Sequence, residues 1–513
     1  MALVIAGRIV PMSGTDPSAV FPGRIYLGDD GFVDAVTNGN ASAPAGFANA
    51  PVFDVGEGFV MPGLIDLHNH LGYNALPLWA EPAQKKPFLH HNDWTDAPTY
   101  KQSISWPAWM LAKTEPEAML AYVQTRALVG GTTAIQGWPA FNRPPLMLLR
   151  NIDDEKAGSD SRNLIYTSAL TEKPLQLART AQSMSRGAGF VYHCSEGQPG
   201  SVVAREFTDV AAAGCLLKTL LAIHCNAVTD SDWKRWQPSD AGGVVWSPFS
   251  NLWLYGSTTN VPAARDRGVS ICLGSDWGPS GTKHVLAELK VARLVNQKQG
   301  FDLKDRDLVA MVTSNAGDVL SRCWSRQIGR LIPGAFADVT VLRRRGNGDV
   351  WSQIVAATER DVVLVVVGSV PRYGDADAMT AAGATLTSSL SVGGTKRRLT
   401  IADPKDQKKA WQWDDIVSRL DSVRRNPPAA LVRGDRQRRS YAGPITASDA
   451  PLELALDMPT GSAMTHAGPP PDPAKVVIPP LPTLVHDKAF FDDIRGRGFH
   501  GGLLDGLADF YKE

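Results

Sequence analysis

The sequence predicts an α/β protein, a (β/α)8 TIM-like barrel carrying a small composite β-domain built from N- and C-terminal segments. Three observations predict it. Short strands broken by turns fill the first 58 residues, apolar strands then alternate with helix-length segments, and a second group of β-rich segments returns near residue 337. Alternation of strand and helix is the signature of βα units around a parallel sheet.

The first strands are Leu3-Val-Ile-Ala, Gly23-Arg-Ile-Tyr-Leu and Phe32-Val-Asp-Ala-Val, with the turn Gly28-Asp-Asp-Gly between two of them. Their partners are expected at Ala337–Leu342 and Asp361–Gly368. This defines a β-domain in two halves, residues 1–58 and 329–395. Between them, residues 59–328 offer barrel strands at Leu64–His70, Thr133–Gly137, Asn163–Ser168, Gly189–Cys194, Leu220–Cys225, Gly243–Ser247 and Val269–Asp276. Glu115–Val129 and Lys283–Gln297 space their apolar residues as helices do. Seven strands leave a closed barrel one short, and the eighth is expected within 145–160, where the pattern is weak. Residues 72–114, rich in Trp and Pro, read as an ordered lid inserted after the first strand. Residues 396–513 form a C-terminal extension, with a helix expected over Asp406–Val423. A stiff Pro-rich arm (Pro469-Pro-Pro, Ile478-Pro-Pro-Leu-Pro) packed on the barrel or a neighbouring subunit follows, then a short terminal helix near 485–512.

Composition narrows the function. The 513-residue chain carries 52 Lys+Arg and 52 Asp+Glu, so no global field draws it to nucleic acid or anionic lipid, and a small-molecule substrate is the default. Fourteen tryptophans, many outside the predicted strands, suit flat ring-like ligands as well as plain hydrophobic filling. Five cysteines make neither a CxxC pair nor an even disulfide framework, which fits a reducing compartment. No signal peptide and no apolar stretch of ~20 residues appears, so a cytoplasmic protein is expected. A homo-oligomer is left open.

Chemistry concentrates at predicted strand ends. In Met61-Pro-Gly-Leu-Ile-Asp-Leu-His68-Asn-His70 the two histidines lie two apart, which on a strand puts both imidazoles on one side. At the carboxyl end of a barrel strand they face the active site. His193 ends another strand, with Glu196 three residues on; His224 and Asp276 end two more. Any one of these is more often a hydrogen-bonded core residue or a helix cap, but together they compose a site for zinc or ferrous iron with a position open to water. Such a cation lowers the pKa of its water toward neutrality. Asp276 is placed to take the water's proton, Glu196 to carry it to the leaving group, and His224 to orient water or polarise substrate.

At these residues the chain resembles the amidohydrolase superfamily, in its cytosine deaminase, guanine deaminase and s-triazine hydrolase branch. The matching motifs are Pro62-Gly-Leu-Ile-Asp-Leu-His-Asn-His, His193-Cys-Ser-Glu196, His224, Ser247-Pro-Phe-Ser-Asn251-Leu, Leu273-Gly-Ser-Asp276 and Ile328-Gly-Arg-Leu-Ile-Pro-Gly-Ala-Phe-Ala-Asp338. The resemblance covers roughly residues 1–375. It implies one divalent metal, zinc with iron as the alternative, on His68, His70, His193 and Asp276, with Glu196 and His224 as catalytic partners. Binuclear members use a carboxylated lysine; Lys173 and Lys218 are poorly placed for it. The expected reaction is hydrolytic deamination of a small heterocyclic or aromatic compound. Hydrolysis of an amide, lactam or lactone is the alternative, and a non-catalytic scaffold the remote one. The segment His70–Trp79 matches no base-recognition pattern of the branch, and the last 120 or so residues match none of its motifs. Tyr73, Asn74, Trp79, Trp138 and Trp277 are the candidates for substrate contact. His90 and His91 in the lid suggest a second metal, a substrate contact or a lid-closing role.

Overall fold

The computed structural model describes residues 2–14, 16, 19–39, 41–139, 146–153, 165–168, 171–324, 326–440 and 471–512. The chain opens with β1 (Leu3–Ile9), β2 (Phe21–Leu27), β3 (Val33–Asn38) and β4 (Val52–Pro62). It continues with eight short strands: β5 (Leu64–Asp66), β6 (Thr132–Ile135), β7 (Arg150–Asn151), β8 (Ile165–Ser168), β9 (Gly189–Cys194), β10 (Leu220–His224), β11 (Gly243–Trp246) and β12 (Ser270–Leu273). After them come β13 (Val339–Leu342), β14 (Val362–Val367), β15 (Val370–Asp375), β16 (Thr387–Val392), β17 (Thr395–Thr400) and the small hairpin β18 (Ala402–Asp403)–β19 (Asp406–Ala410).

The two ends of this series make one nine-stranded sheet, ordered β16-β17-β15-β14-β13-β4-β1-β2-β3. Its central seam joins the halves: β4 runs parallel to β1 on one side and antiparallel to β13 on the other, with Met61 opposite Thr340. Val60, Val339, Val341, Leu364 and Val366 fill the core on one face. The sheet reaches Thr400 through β17, past the expected end of the β-rich segment at 395.

The middle strands pair parallel in two arcs, β5-β6-β7 and β12-β11-β10-β9-β8. A parallel bridge between Asn69 and Asp276 joins them beyond the ends of β5 and β12. Alternate residues of both arcs, Ile65, Ala134, Val191, Leu221, Ile223, Val245 and Cys272, share one interior core. Their neighbours, such as Phe190, Leu220, Val244 and Ile271, face outward to the helices, as period-two patterning requires. Pro116–Val129 and Val285–Gln299 are helices close to expectation.

Two expectations need adjusting, a third is met by a very short strand, and a fourth begins outside the described residues. The strand expected at Leu64–His70 ends at Asp66, because the next peptides leave β6 and bond to the β12 side, His68 O accepting Asp276 N–H at 3.0 Å. The strand sought within 145–160 is β7, two residues long, and its Arg150 makes a bidentate pair with Asp338 at 2.9 Å. That is why no apolar pattern marked it. The start of the strand expected at Asn163 lies outside the described residues. The helix expected over Asp406–Val423 is instead β19 followed by a helix at Trp413–Arg425. Lys405 N–H bonds the Asp403 carboxylate at 2.8 Å, which turns the chain back into the hairpin.

The insertion 72–114 holds helical turns at His91–Thr95 and a helix at Trp106–Thr114. In the extension, Trp413, Ile416, Leu420 and Val423 form one buried helical stripe, and Trp413 stacks on Tyr122 with centroids 5.7 Å apart. Of the Pro-rich arm, Pro469 lies outside the described residues, while Val476 and Ile478 are buried against the body. A helix at Lys488–Gly496 and a 3-10 segment at Leu503–Tyr511 follow. No helix among the described residues is long and apolar enough to cross a membrane.

Candidate metal and acid–base centre

His68 is the hub. Its ring centroid lies 5.0 Å from that of His70, 4.7 Å from His193 and 4.9 Å from His224. Its Nε2 is 3.3 Å from Asp276 Oδ1, and His70 Nε2 is 3.8 Å from the same oxygen. Two triads therefore share His68: His68–His193–His224 and His68–His70–Asp276, each with its ligand atoms within 4.8 Å of one another. Among the described residues no hydrogen bond of good geometry satisfies either ring nitrogen of fully buried His68, which has the Asp276 carboxylate and Gln136 beside it. Burial, reinforced by the neighbouring imidazoles, holds His68 and His70 well below the usual histidine pKa and so neutral. Neutral imidazoles around a carboxylate, with an orphaned nitrogen at the hub, are what a divalent cation needs.

Backbone geometry aims these groups. His193 shares the inward parity of Val191 on β9. His224 follows inward-facing Ile223 and by parity belongs outside, but a left-handed φ of 64° turns it in. Asp276 has φ 57° and Ser195, beside Glu196, has φ 54°. Such conformations cost about 1–3 kcal/mol each and persist where surroundings enforce them. Buried Asp66 enforces one: it accepts from Ser275 N–H at 3.1 Å, from Ser275 Oγ–H and from Asn69 Nδ2 at 3.3 Å, tying β5 to the Asp276 turn.

Glu196 sits beyond His224, its Oε1 3.7 Å from His224 Nε2. Tyr255 Oη donates to that oxygen at 2.6 Å, and Trp94 Nε1 donates to Tyr255 Oη at 2.8 Å. His91 Nδ1 lies 3.6 Å from the other oxygen. Burial pushes the Glu196 carboxyl up, but His224, His91 and His193 outweigh it and hold the group well below the carboxylate range. Asn251 fixes the tautomer of His224. Its amide nitrogen faces Thr258 and Thr259 at 3.3 Å, so its oxygen receives His224 Nδ1–H at 2.9 Å and leaves the Nε2 lone pair toward the centre.

The five expected substrate residues divide. Trp277 stands edge-on to His70 at 6.1 Å, with Tyr73 5.5 Å behind it. Asn74 is taken up by the protein: its amide donates to Asn69 Oδ1 at 3.0 Å and accepts Gly278 N–H at 2.8 Å. Trp79 stacks on Phe88 within the lid, centroids 6.3 Å apart, and Trp138 returns its indole N–H to Ile135 O at 3.1 Å. Residues 88–91 run along the Glu196 turn, Gln198 N–H meeting Leu89 O at 2.7 Å, which buries His91 and leaves His90 beside Asp93. His91 was legible only as half of a His-His pair; Tyr255 and Trp94 carried no signal beyond aromaticity.

A family model described as the amidohydrolase family matches residues 152–371. A curated relative, the 5-methylthioadenosine/S-adenosylhomocysteine deaminase of Desulfitobacterium hafniense, is 24% identical over 371 residues, 66% of this chain and 84% of the relative. The chain resembles the amidohydrolase superfamily. Among solved structures, the chain is similar to an adenosine deaminase from Xanthomonas campestris with bound zinc. The TM-score is 0.59 at 17% identity, over 83% of this chain and 98% of that one. A triazine hydrolase variant superposes with a TM-score of 0.57 at 16% identity, covering 72% of this chain and 93% of the variant. The deaminase and triazine-hydrolase branch is the one the motifs pointed to.

Proposed function

We propose that this protein is an amidohydrolase that removes an amine by hydrolysis from an sp² carbon of a small heterocyclic compound, using one divalent cation, zinc by preference. The observation that carries the reading is the position of Glu196, an ionised and fully buried carboxylate one histidine away from the His/Asp cluster. His68, His70, His193 and Asp276 would hold the cation, which when bound activates water at neutral pH and polarises the substrate. Asp276 accepts the proton of the attacking water. Through Nε2, His224 orients that water. Glu196 relays the proton held by Asp276 to the departing nitrogen as the new C–O bond replaces C–N, so both carboxylates end ionised and ammonia leaves. Trp277 and Tyr73 wall the ring of the substrate. That the Desulfitobacterium hafniense relative is a deaminase supports the same chemistry.

The two arcs of parallel strands are read as one closed (β/α)8 barrel over residues 59–328, with 72–114 as its lid. Residues 1–58 and 329–395 form the composite β-domain and 396–513 the extension. The protein works on a small molecule in the cytoplasm.

The test is a panel of aminated heterocycles assayed for ammonia release. Glu196→Gln is expected to retain metal and lose about 10²–10⁴-fold in turnover. Hydrolysis of amides or lactones without ammonia release would favour the alternative reaction, and full activity of Glu196→Gln would refute the proton route.

A further inference from the structure

We infer that a cavity of about 350 Å3 between the barrel and the C-terminal extension is a binding site for an organic carboxylate with an apolar body. It lies outside the metal centre. Leu76, Leu78 and Arg126 line it together with Leu481 and Phe490 of the extension. Its volume and its mostly apolar lining, broken by a few polar groups, are those of a small-molecule pocket.

Arg126 decides the ligand's charge. It is 2% exposed on the helix Pro116–Val129, and its Nε and Nη1 have no hydrogen-bond partner among the described residues. A guanidinium has five N–H donors in a planar fork that matches a carboxylate in two parallel bonds. Buried arginines are ordinarily paired, so orphaned donors beside a cavity mark a missing anion. The other charged groups of the lining are already engaged. Lys283 Nζ donates to Thr483 O at 2.8 Å, to Thr483 Oγ1 at 3.1 Å and to Val485 O. Asp487 accepts from Thr483 Oγ1 at 2.7 Å and from Phe490 N–H at 3.0 Å, and Asp493 lies 3.8 Å from Arg497. Arg126 is thus the group left to read an incoming ligand, and the leucines and phenylalanine take its body.

Benzoate is a suitable probe, titrated calorimetrically into the full-length, metal-loaded protein. Saturable one-site binding in the millimolar range or tighter is expected, weakened at least about tenfold by Arg126→Gln and unchanged by His68→Ala. Leu481→Trp fills the cavity from a separate segment and should abolish binding even if the arginine variant folds poorly. Neutral benzamide should bind at least about tenfold more weakly. The inference is overturned by any of four results: no saturable binding, benzamide or inorganic phosphate binding as tightly as benzoate, persistence of binding in both cavity variants, or its loss in His68→Ala, which would put benzoate in the metal centre.

Discussion

The phenol of Tyr255 donates a 2.6 Å hydrogen bond to Glu196 Oε1 and itself receives the indole N–H of Trp94 at 2.8 Å. The proposed acid–base carboxylate is therefore held by a residue of the helix Pro248–Tyr255 and, one bond further, by Trp94 of the 72–114 insertion. Hydrogen bonds that favour the charged form keep a carboxylate ionised, so this chain helps set when Glu196 carries a proton.

Tyr255→Phe should raise the Glu196 pKa, since the lost O–H stabilised the anion. kcat/KM should fall most toward acidic pH, where the variant's carboxylate takes up a proton more readily, with metal content unchanged. A variant that loses activity equally at all pH values would show Tyr255 to be packing only.

Asn251→Ala frees His224 to adopt the other tautomer. Turnover should fall about 10–100-fold while the metal stays bound, the usual consequence of removing a group that orients an active-site histidine. Elemental analysis and kcat measured on one preparation check both halves.

Gly137 has φ 85°, and a Cβ there would meet Asn69 O at 1.5 Å. Its carbonyl also receives Leu71 N–H at 3.0 Å, so the clash falls on the loop that presents His68 and His70. Gly137→Ala should cost about 2–4 kcal/mol and reduce metal occupancy, read by denaturant unfolding and metal content.

Lys290 is fully buried, donating to Leu286 O at 2.9 Å and to Ala357 O, and burial drives its amine from 10.5 down to about 7. The unfolded chain holds that proton up to about 10.5 while the folded one surrenders it near 7. Between those values the unfolded state binds more protons, so stability rises with pH across that window and is insensitive to this group below it. Lys290→Met should flatten the rise measured by thermal unfolding from pH 7 to about 10. Lys283, also pushed to about 7 by burial, leaves a residual slope.

Much of the centre was legible because its residues close strands in recognisable patterns. Period-two alternation alone places His193 inside, and the Asp66-to-His70 run announces itself. Other parts follow from geometry that side-chain patterns do not encode. His224 reaches the centre against its strand parity through a left-handed φ. Asn74, adjacent in sequence to the metal strand, is spent on holding Asn69 and Gly278. Strand β7 was placed only within 145–160, without a pattern of its own, because its Arg150 serves an ion pair with Asp338 across 188 positions. His91 and Tyr255 meet at Glu196 only when the lid lies along the Glu196 turn, a long-range pairing with no local signature.

The most direct measurement is metal content per chain, by elemental analysis of protein purified without chelators, for the wild type and for His68→Ala. About one equivalent of zinc in the wild type and almost none in His68→Ala is the expected result, since His68 is common to both ligand triads. Two equivalents in the wild type, or a metal count untouched by His68→Ala, would contradict a single cation on this cluster.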